Sequence, residues 1–362
     1  IESGVARKPI TDWDAYYDKL RDMMGYDNKL IRQFSDTARS NPKRVVFAES
    51  NLNMLKAAVQ AKVEGVAHPI VLGNPERIQI IAQREQLDLT GIKIVNPRSP
   101  EEFERRRKYA TIYAEENGRN GVTLDEARDD MFEPNHFGMM MVKTGDADAF
   151  ITGGYSKYSE TIELAKEIIG IREEYKHFGA MHILSTRKGT FFLADTLVNR
   201  DPDAETLVDV VKLTHDAVRF FAHEPVMAML SYANFGSDKE AARGTANKAR
   251  DAVKMIHEQF PDYMIDGEMQ VNVALNSELR DTKYPFSRLK GKDVNTLIFP
   301  CLSAANSSYK MLQALSPDTE IIGPIQMGLN KPIHFIDFES SVQDILNVTA
   351  VAAIDAMAHK KK

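Results

Sequence analysis

The chain has 362 residues, and 46 Lys and Arg against 52 Asp and Glu give it a formal net charge of −6 at pH 7. Hydrophobic residues make up 43% and charged residues 27%, enough for a large core, which excludes a disordered or fibrous chain. The acidic balance argues against a general nucleic-acid binder, the apolar runs fall short of the roughly 18 residues that span a bilayer, and the lone Cys301 permits no intrachain disulfide.

That cysteine usage fits a reducing cytoplasm. The chain starts on Ile1 and carries no apolar signal segment, so it reads as a piece of a longer polypeptide, or as a processed or tagged one. In residues 1–40, Trp13, Tyr16, Tyr17 and Leu20 recur at helical spacing and predict a helical lead-in that packs on its neighbour. Residues 44–50 are a β-branched run of the buried parallel-strand kind. Asn51 is placed to cap a helix with Leu55, Ala58, Val59 and Val63 on one stripe. A second strand over 69–73 leads through Asn74-Pro75 into a helix, and a third over 92–96 stops at Pro97. These repeated βα units imply a parallel sheet with helices on both faces.

A strand over 146–154 ends in two glycines, and a helix follows over 156–169. Residues 178–184 and 190–198 flank a hairpin signal. A helix over 203–221, strands over 225–231, 295–303 and 320–326, and a terminal helix complete the pattern.

In open α/β sheets, ligands bind beyond the carboxyl ends of the strands. Four polar clusters stand there, at residues 151–161, 231–244, 303–310 and 323–334. The second and third place small or hydroxyl residues at a helix start, suited to phosphate or pyrophosphate. The GxGxxG and GxxxxGK[ST] fingerprints are absent. Nine scattered His residues with no paired cysteine give no structural metal site. His136 and His182 read as core or turn histidines, Cys301 as a small buried hydrophobe in a strand, and the methionines 139–141 as helix core. Arg105, Arg106 and Arg107 alternate with Glu and read as a solvated helix face, and Lys360, Lys361 and Lys362 as a frayed end.

At these clusters the sequence resembles the phosphate acetyl/butyryl transferases, or phosphotransacetylases, from about Lys43 to His359. The blocks FGMMMVKTGDADAFITGG, ADTLVNRDPDAETLVDV, PVMAMLSYANFGS, DGEMQVNVAL, LIFPCLSAANSSYKMLQ, GPIQMGLNKP and SVQDILNV stand in that family's order. The lead-in resembles the junction of hybrid malic enzymes, in which an NADP-dependent malic enzyme domain precedes a phosphotransacetylase-like one. The resemblance implies two α/β/α domains with mainly parallel sheets, like the isocitrate and isopropylmalate dehydrogenase fold, and a cleft between them. It divides the chain into a lead-in over 1–40, domain I over 41–155 plus 322–362, and domain II over 156–321. It implies acetyl-CoA or CoA in the cleft, held by Ser231, Asn234, Gly236, Ser237, Asn306, Tyr309, Lys310, Gly323, Pro324, Gln326, Gly328, Asn330, Lys331 and Pro332. It also implies a homodimer or larger oligomer, with NADP and a divalent metal belonging to the upstream domain.

Active members carry a Ser-Arg pair after the Lys-Pro, where this chain has Asp337 and Phe338, while the later carboxylate, Asp344, is kept. Glu163 stands where they have an Arg, and Cys301 and Asn272 each replace an Asp. Acyl transfer from a phosphate to a thiol develops negative charge that needs cationic or donor-rich surroundings. At about 4 Å and an effective dielectric of about 20, one unit charge is worth ~4 kcal/mol. Half of that exceeds the ~1.4 kcal/mol that makes a tenfold rate change. The expectation is a cleft stripped of positive groups that binds acetyl-CoA as an effector of an upstream malic enzyme. The alternatives are an active phosphate acetyltransferase, with Asp337 as base and Asp344 and Lys331 on the phosphate, and a purely oligomerising domain.

Overall fold

Residues 43–47 read Lys-Arg-Val-Val-Phe, and in the computed structural model of the chain they form the central strand of a five-stranded sheet. The structure describes Tyr16 and residues 29–153, 158–186, 188–239, 244–316 and 319–359. Trp13, Tyr17 and Leu20 of the lead-in, and Lys360, Lys361 and Lys362, lie outside the described residues.

The first sheet comprises β1 (Lys43–Phe47), β2 (Ala67–Leu72), β3 (Lys93–Val95), β4 (Ala149–Thr152) and β11 (Ile333–Phe335). Its order is β11-β4-β1-β2-β3, and every neighbouring pair is parallel. Successive strand residues face opposite sides. Val45, Phe47 and Ile151 pack with Leu55 of α2 (Leu52–Val63), Ile78 of α3 (Pro75–Glu85) and Leu346 of α13 (Val342–His359). Val46 and Phe150 pack with Tyr109 of α4 (Phe103–Asn117), Ala127 of α5 (Leu124–Asp130) and Phe137 of α6 (Pro134–Lys143). Each such buried Val, Leu, Ile or Phe side chain is worth about 1.5–3 kcal/mol relative to exposure.

The second sheet comprises β5 (Gly179–Thr186), β6 (Gly189–Ala194), β7 (Met227–Leu230), β8 (Ile265–Met269), β9 (Thr296–Ile298) and β10 (Glu320–Met327), in the order β10-β5-β6-β9-β7-β8. β10-β5 and the hairpin β5-β6 are antiparallel, and the remaining pairs are parallel. One face meets α8 (Ala204–Phe220) and α9 (Thr245–Gln259) through Met181, Ile183, Val211 and Ala252. The other meets Ala305 and Tyr309 of α12 (Leu302–Leu315) through Leu184 and Leu193. Two short helices, α10 (Val271–Ala274) and α11 (Ser277–Lys283), follow β8.

The capping signals hold at the helix starts. Asn51 Oδ1 accepts from Met54 N at 2.9 Å, and Asn74 Oδ1 accepts from Arg77 N at 3.1 Å ahead of Pro75. The methionines 139–141 are core. Among the described residues no helix is long and apolar enough to cross a membrane.

Several expectations need correction. Val63 is 80% exposed, because α2 turns Ala57, Ala58 and Ala61 inward instead. Arg106 is buried: its Nη1 donates to Pro97 O at 2.6 Å and Ser99 O at 2.7 Å, and its guanidinium lies 4.5 Å over the Phe132 ring. Arg107 pairs with Glu104 on the exposed face, whereas the Arg105–Glu102 pair is part-buried, at 28% and 13% exposed. Cys301 lies past the end of β9, half-buried, as the residue preceding α12.

The expected domain limits shift as well. Residues 29–40 form α1 (Lys29–Ser40), whose Leu30, Phe34 and Ala38 join the second sheet's core; Phe34 meets Phe221 at 4.9 Å between ring centroids. α7 (Tyr158–Ile168) buries Ile162 and Ala165 among first-sheet side chains, so it packs with the first unit. β10 belongs to the second sheet, so the chain returns to the first between Met327 and Ile333, after the expected break at 322. β8 and β11 escape the strand expectations because Asp266 and Glu268 interrupt one and Pro332 adjoins the other.

Candidate functional site

Strands β4 and β11 of one sheet, and β6 and β9 of the other, end at a common cleft. This is where the carboxyl ends of open α/β sheets present ligand sites. The cleft holds a cavity of about 720 Å³. Thr152, Gly153 and residues 335–338 wall it from the first unit, with Tyr158 and Thr161 of α7. Leu197, Leu302, Ser303, Asn306 and Ser307 wall it from the second. Gly153 has φ +142°, and a Cβ there would stand 2.2 Å from Ile336 O, so only glycine allows β4 and the chain after β11 to approach so closely.

Asp337 is the one charged side chain among the described residues that line the cavity. Lys310 Nζ donates to Asp337 Oδ2 at 2.7 Å, and Tyr309 O–H makes a long 3.4 Å contact to the same oxygen. Behind Tyr309, His182 stacks on the phenol ring at 4.1 Å with 21° between planes. His182 Nδ1 lies 2.9 Å from Thr196 Oγ1, whose own hydroxyl donates to Ala180 O at 3.2 Å, which leaves the imidazole N–H as donor. Burial lowers the His182 pKa to about 4, against an opposing pull from Asp337, so the ring is neutral near pH 7. Burial first, then Asp337, raises Tyr309, and burial raises Tyr158 well above the usual phenol range. Both stay O–H donors. Gln326 braces the floor: its Oε1 accepts from Phe335 N at 2.9 Å, and its Nε2 donates to Tyr158 O–H at 3.3 Å.

A family model described as phosphate acetyl/butaryl transferase matches residues 29–353. The chain belongs to that family. It is 33% identical over 335 residues to the phosphate acetyltransferase of Thermoanaerobacterium thermosaccharolyticum, covering 90% of this chain and 99% of that protein. It is 36% identical over 361 residues to the NADP-dependent malic enzyme of Escherichia coli, covering 98% of this chain and 47% of that enzyme. The chain thus spans about half the length of the malic enzymes it matches. Its fold is similar to a phosphotransacetylase from Streptococcus pyogenes, with TM-score 0.81, 28% identity, and 91% and 98% of the two chains covered. The EutD phosphotransacetylase from Staphylococcus aureus is similar at TM-score 0.77 and 26% identity, covering 90% of this chain and 99% of that one.

Within this family member, the residues expected at the ligand separate into groups. Asn306, Asp337 and Phe338 line the cavity, with Tyr309 and Lys310 against Asp337. Phe338 is 79% exposed at the rim. Glu163 does not line it: its side chain is 70% exposed and pairs with Lys166 at 2.9 Å, so its charge is screened by water and a partner. Asp344 caps α13, where its Oδ2 accepts from Ser341 N at 2.8 Å and Ser341 Oγ at 2.7 Å. Ser231, Asn234, Gly236 and Ser237 lie in a turn tied to the end of β8: Asn234 Oδ1 accepts from Gln270 N at 2.8 Å, and Glu268 Oε1 accepts from Gly236 N at 2.7 Å. Asn272 lies in α10, beyond that turn.

Gly323, Pro324, Gly328, Asn330, Lys331 and Pro332 are outside the cavity wall. Asn330 Nδ2 donates to Ile169 O and Ile171 O at 3.1 and 3.2 Å, which fastens the return to the first sheet. Residues 154–157 and 240–243 of the first two clusters lie outside the described residues. Among the described residues no group of three or more His, Cys, Asp or Glu could hold a metal ion.

The expectation of a cleft stripped of positive charge is corrected by Lys310, whose ammonium sits beside Asp337. Sequence reading placed both residues at the site but not in contact, because they are 27 positions apart. The clusters over 151–161 and 303–310 contained Tyr158, Thr161 and Ser303, which stand on the wall without having been singled out, and His182, read as a core or turn histidine, is buried behind it.

Proposed function

We propose that this chain is an acyl-CoA-binding domain of the phosphate acetyl/butaryl transferase family that has lost transfer chemistry and serves as the regulatory part of an NADP-dependent malic enzyme. The observation that carries the reading is the Asp337–Lys310 pair. Among the described residues, the single charged side chain on the wall is an anion, and the cation against it, Lys310, is already neutralised by it. Acyl phosphate is anionic, and its reaction with a thiol needs unspent donors or positive charge where negative charge develops. An uncharged thioester needs neither, and Ser303, Asn306 and Ser307 supply neutral hydrogen-bonding groups.

The near-complete match of this chain to about half of several malic enzymes supports the longer polypeptide. Its upstream part would oxidatively decarboxylate malate to pyruvate with NADP and a divalent metal. A cleft between two packed units can take open and closed arrangements, and acetyl-CoA acts as an effector by preferring one. Self-association accompanies this reading. Val271, Leu275, Met311 and Leu315, all 48–74% exposed, line one continuous apolar groove, an ordinary signature of a protein contact.

The test is a coupled assay for acetyl-CoA formation from acetyl phosphate and CoA, with an active phosphate acetyltransferase as control. Turnover below about one thousandth of the control is expected, equivalent to about 4 kcal/mol of lost transition-state stabilisation. Turnover near the control would reject the reading.

A further inference from the structure

Asp337 and Lys310 come from different units of the fold, one following β11 and the other on α12, and meet across the wall of the cleft. Asp337 lines the cavity and Lys310 meets it through that carboxylate; their side chains are 26% and 38% exposed, so solvent reaches the pair. Tyr309 O–H points to the same carboxylate oxygen. The carboxylate therefore occupies the ammonium, and the phenol approaches it as well. These are two donors that would otherwise serve a bound anion.

We propose that Asp337 is the specificity-determining residue of this cleft: as an internal anion it occupies Lys310, so that the cleft admits an uncharged acyl thioester end and rejects oxyanions of the phosphate class. An entering phosphate has two routes, and both are unfavourable. It must separate Lys310 from Asp337, leaving a carboxylate unpaired, or it must sit beside that carboxylate and meet like charge. A thioester carbonyl carries no net charge and needs only a neutral donor. Selection thus comes from a repulsive element as much as from an attractive one. The proposal rests on the acyl-CoA reading for the ligand that is admitted, and on the ion pair alone for the ligand that is rejected.

The experiment titrates inorganic phosphate into the full 362-residue chain by calorimetry, for the unmodified protein, Asp337→Asn and the double variant Asp337→Asn/Lys310→Met. Asn keeps the shape of the side chain and removes its charge. Asp337→Asn is expected to bind phosphate at least tenfold more tightly than the unmodified chain, and the double variant is expected to lose that gain. Cooperative thermal unfolding verifies the fold of each variant, and Asp337→Ser replaces Asp337→Asn where that check fails. Equal phosphate affinity in the unmodified and single-variant proteins overturns the proposal, as does a gain that survives loss of Lys310. A parallel titration of the unmodified chain with acetyl-CoA tests the acyl-CoA reading separately. Its failure alongside a Lys310-dependent phosphate gain removes the thioester ligand and leaves the anion filter standing.

Discussion

Lys310 Nζ stands 2.7 Å from Asp337 Oδ2 between the two units, and among the described residues this pair sets the charge beside the cavity wall. Both side chains are part-exposed, so the pair contributes little to folding; exposed pairs are typically worth 0.2–1 kcal/mol. Lys310→Met and Asp337→Asn should each shift stability by less than about 1 kcal/mol in urea titrations. A larger loss would make the pair a structural staple and weaken its reading as a ligand-selecting device.

Gly153 allows close approach at the cavity floor. Ala at this position combines an unfavourable positive φ with a Cβ 2.2 Å from Ile336 O. Gly153→Ala should cost about 1–3 kcal/mol and weaken acetyl-CoA binding at the same time, because Gly153 and Ile336 both wall the cavity. Denaturant midpoints and calorimetric affinities measured on the same preparation check both effects.

Asp344 and Ser341 form a reciprocal cap, with Ser341 Oγ also accepting from Asp344 N at 3.2 Å. Asp344→Ala should destabilise the chain by about 0.5–2 kcal/mol. Asp344→Asn, which retains an acceptor, should lose less. Urea unfolding distinguishes the two, and equal losses would place the role of Asp344 elsewhere.

The depressed pKa of His182 makes stability depend on pH. The folded ring protonates near 4, while the ordinary value of 6.5 holds when the chain unfolds. Between these values the unfolded state binds more protons, so stability falls as pH drops from about 6.5 toward 4 and this contribution levels off below. Its slope reaches about 1.4 kcal/mol per pH unit. His136, also lowered by burial, acts in the same direction, and His359, held up by Asp355, acts in the opposite one. His182→Gln should give a shallower acid-side decline in unfolding free energy. An unchanged slope would show that the ring is accessible to protons in the fold.

The apolar groove offers a test of self-association. Met311 and Leu315 are 59% and 74% exposed on α12, on its side away from the buried Ala305 and Tyr309. Met311→Asp with Leu315→Asp should reduce the assembly size seen by light scattering while the chain stays folded. Unchanged size would move the contact to another surface.

Sequence reading recovered the features with local causes. The β-branched run through Val45, Val46 and Phe47 and the repeated βα units gave the parallel sheet, Asn51 and Asn74 gave helix starts, and the hairpin after β5 followed from its turn. It also placed Asn306 and Lys310 in a cluster following a strand, while the family correspondence placed Asp337 at the site. What it could not give depends on distant partners. Arg106 looks like a surface charge until Pro97 and Ser99 turn their carbonyls toward it. Strand β8 hides because Asp266 finds Ser287 Oγ and Arg288 N at 2.8 Å each, partners more than 20 positions away. Family correspondence put Glu163 and Asp344 at the reaction centre, yet one side chain faces water and the other serves a helix cap.

Calorimetric titration of the unmodified chain with acetyl-CoA tests the central claim most directly. Saturable heat at one site per chain is expected, reduced by Gly153→Ala. Absence of heat up to millimolar acetyl-CoA, with the chain cooperatively folded, would contradict it.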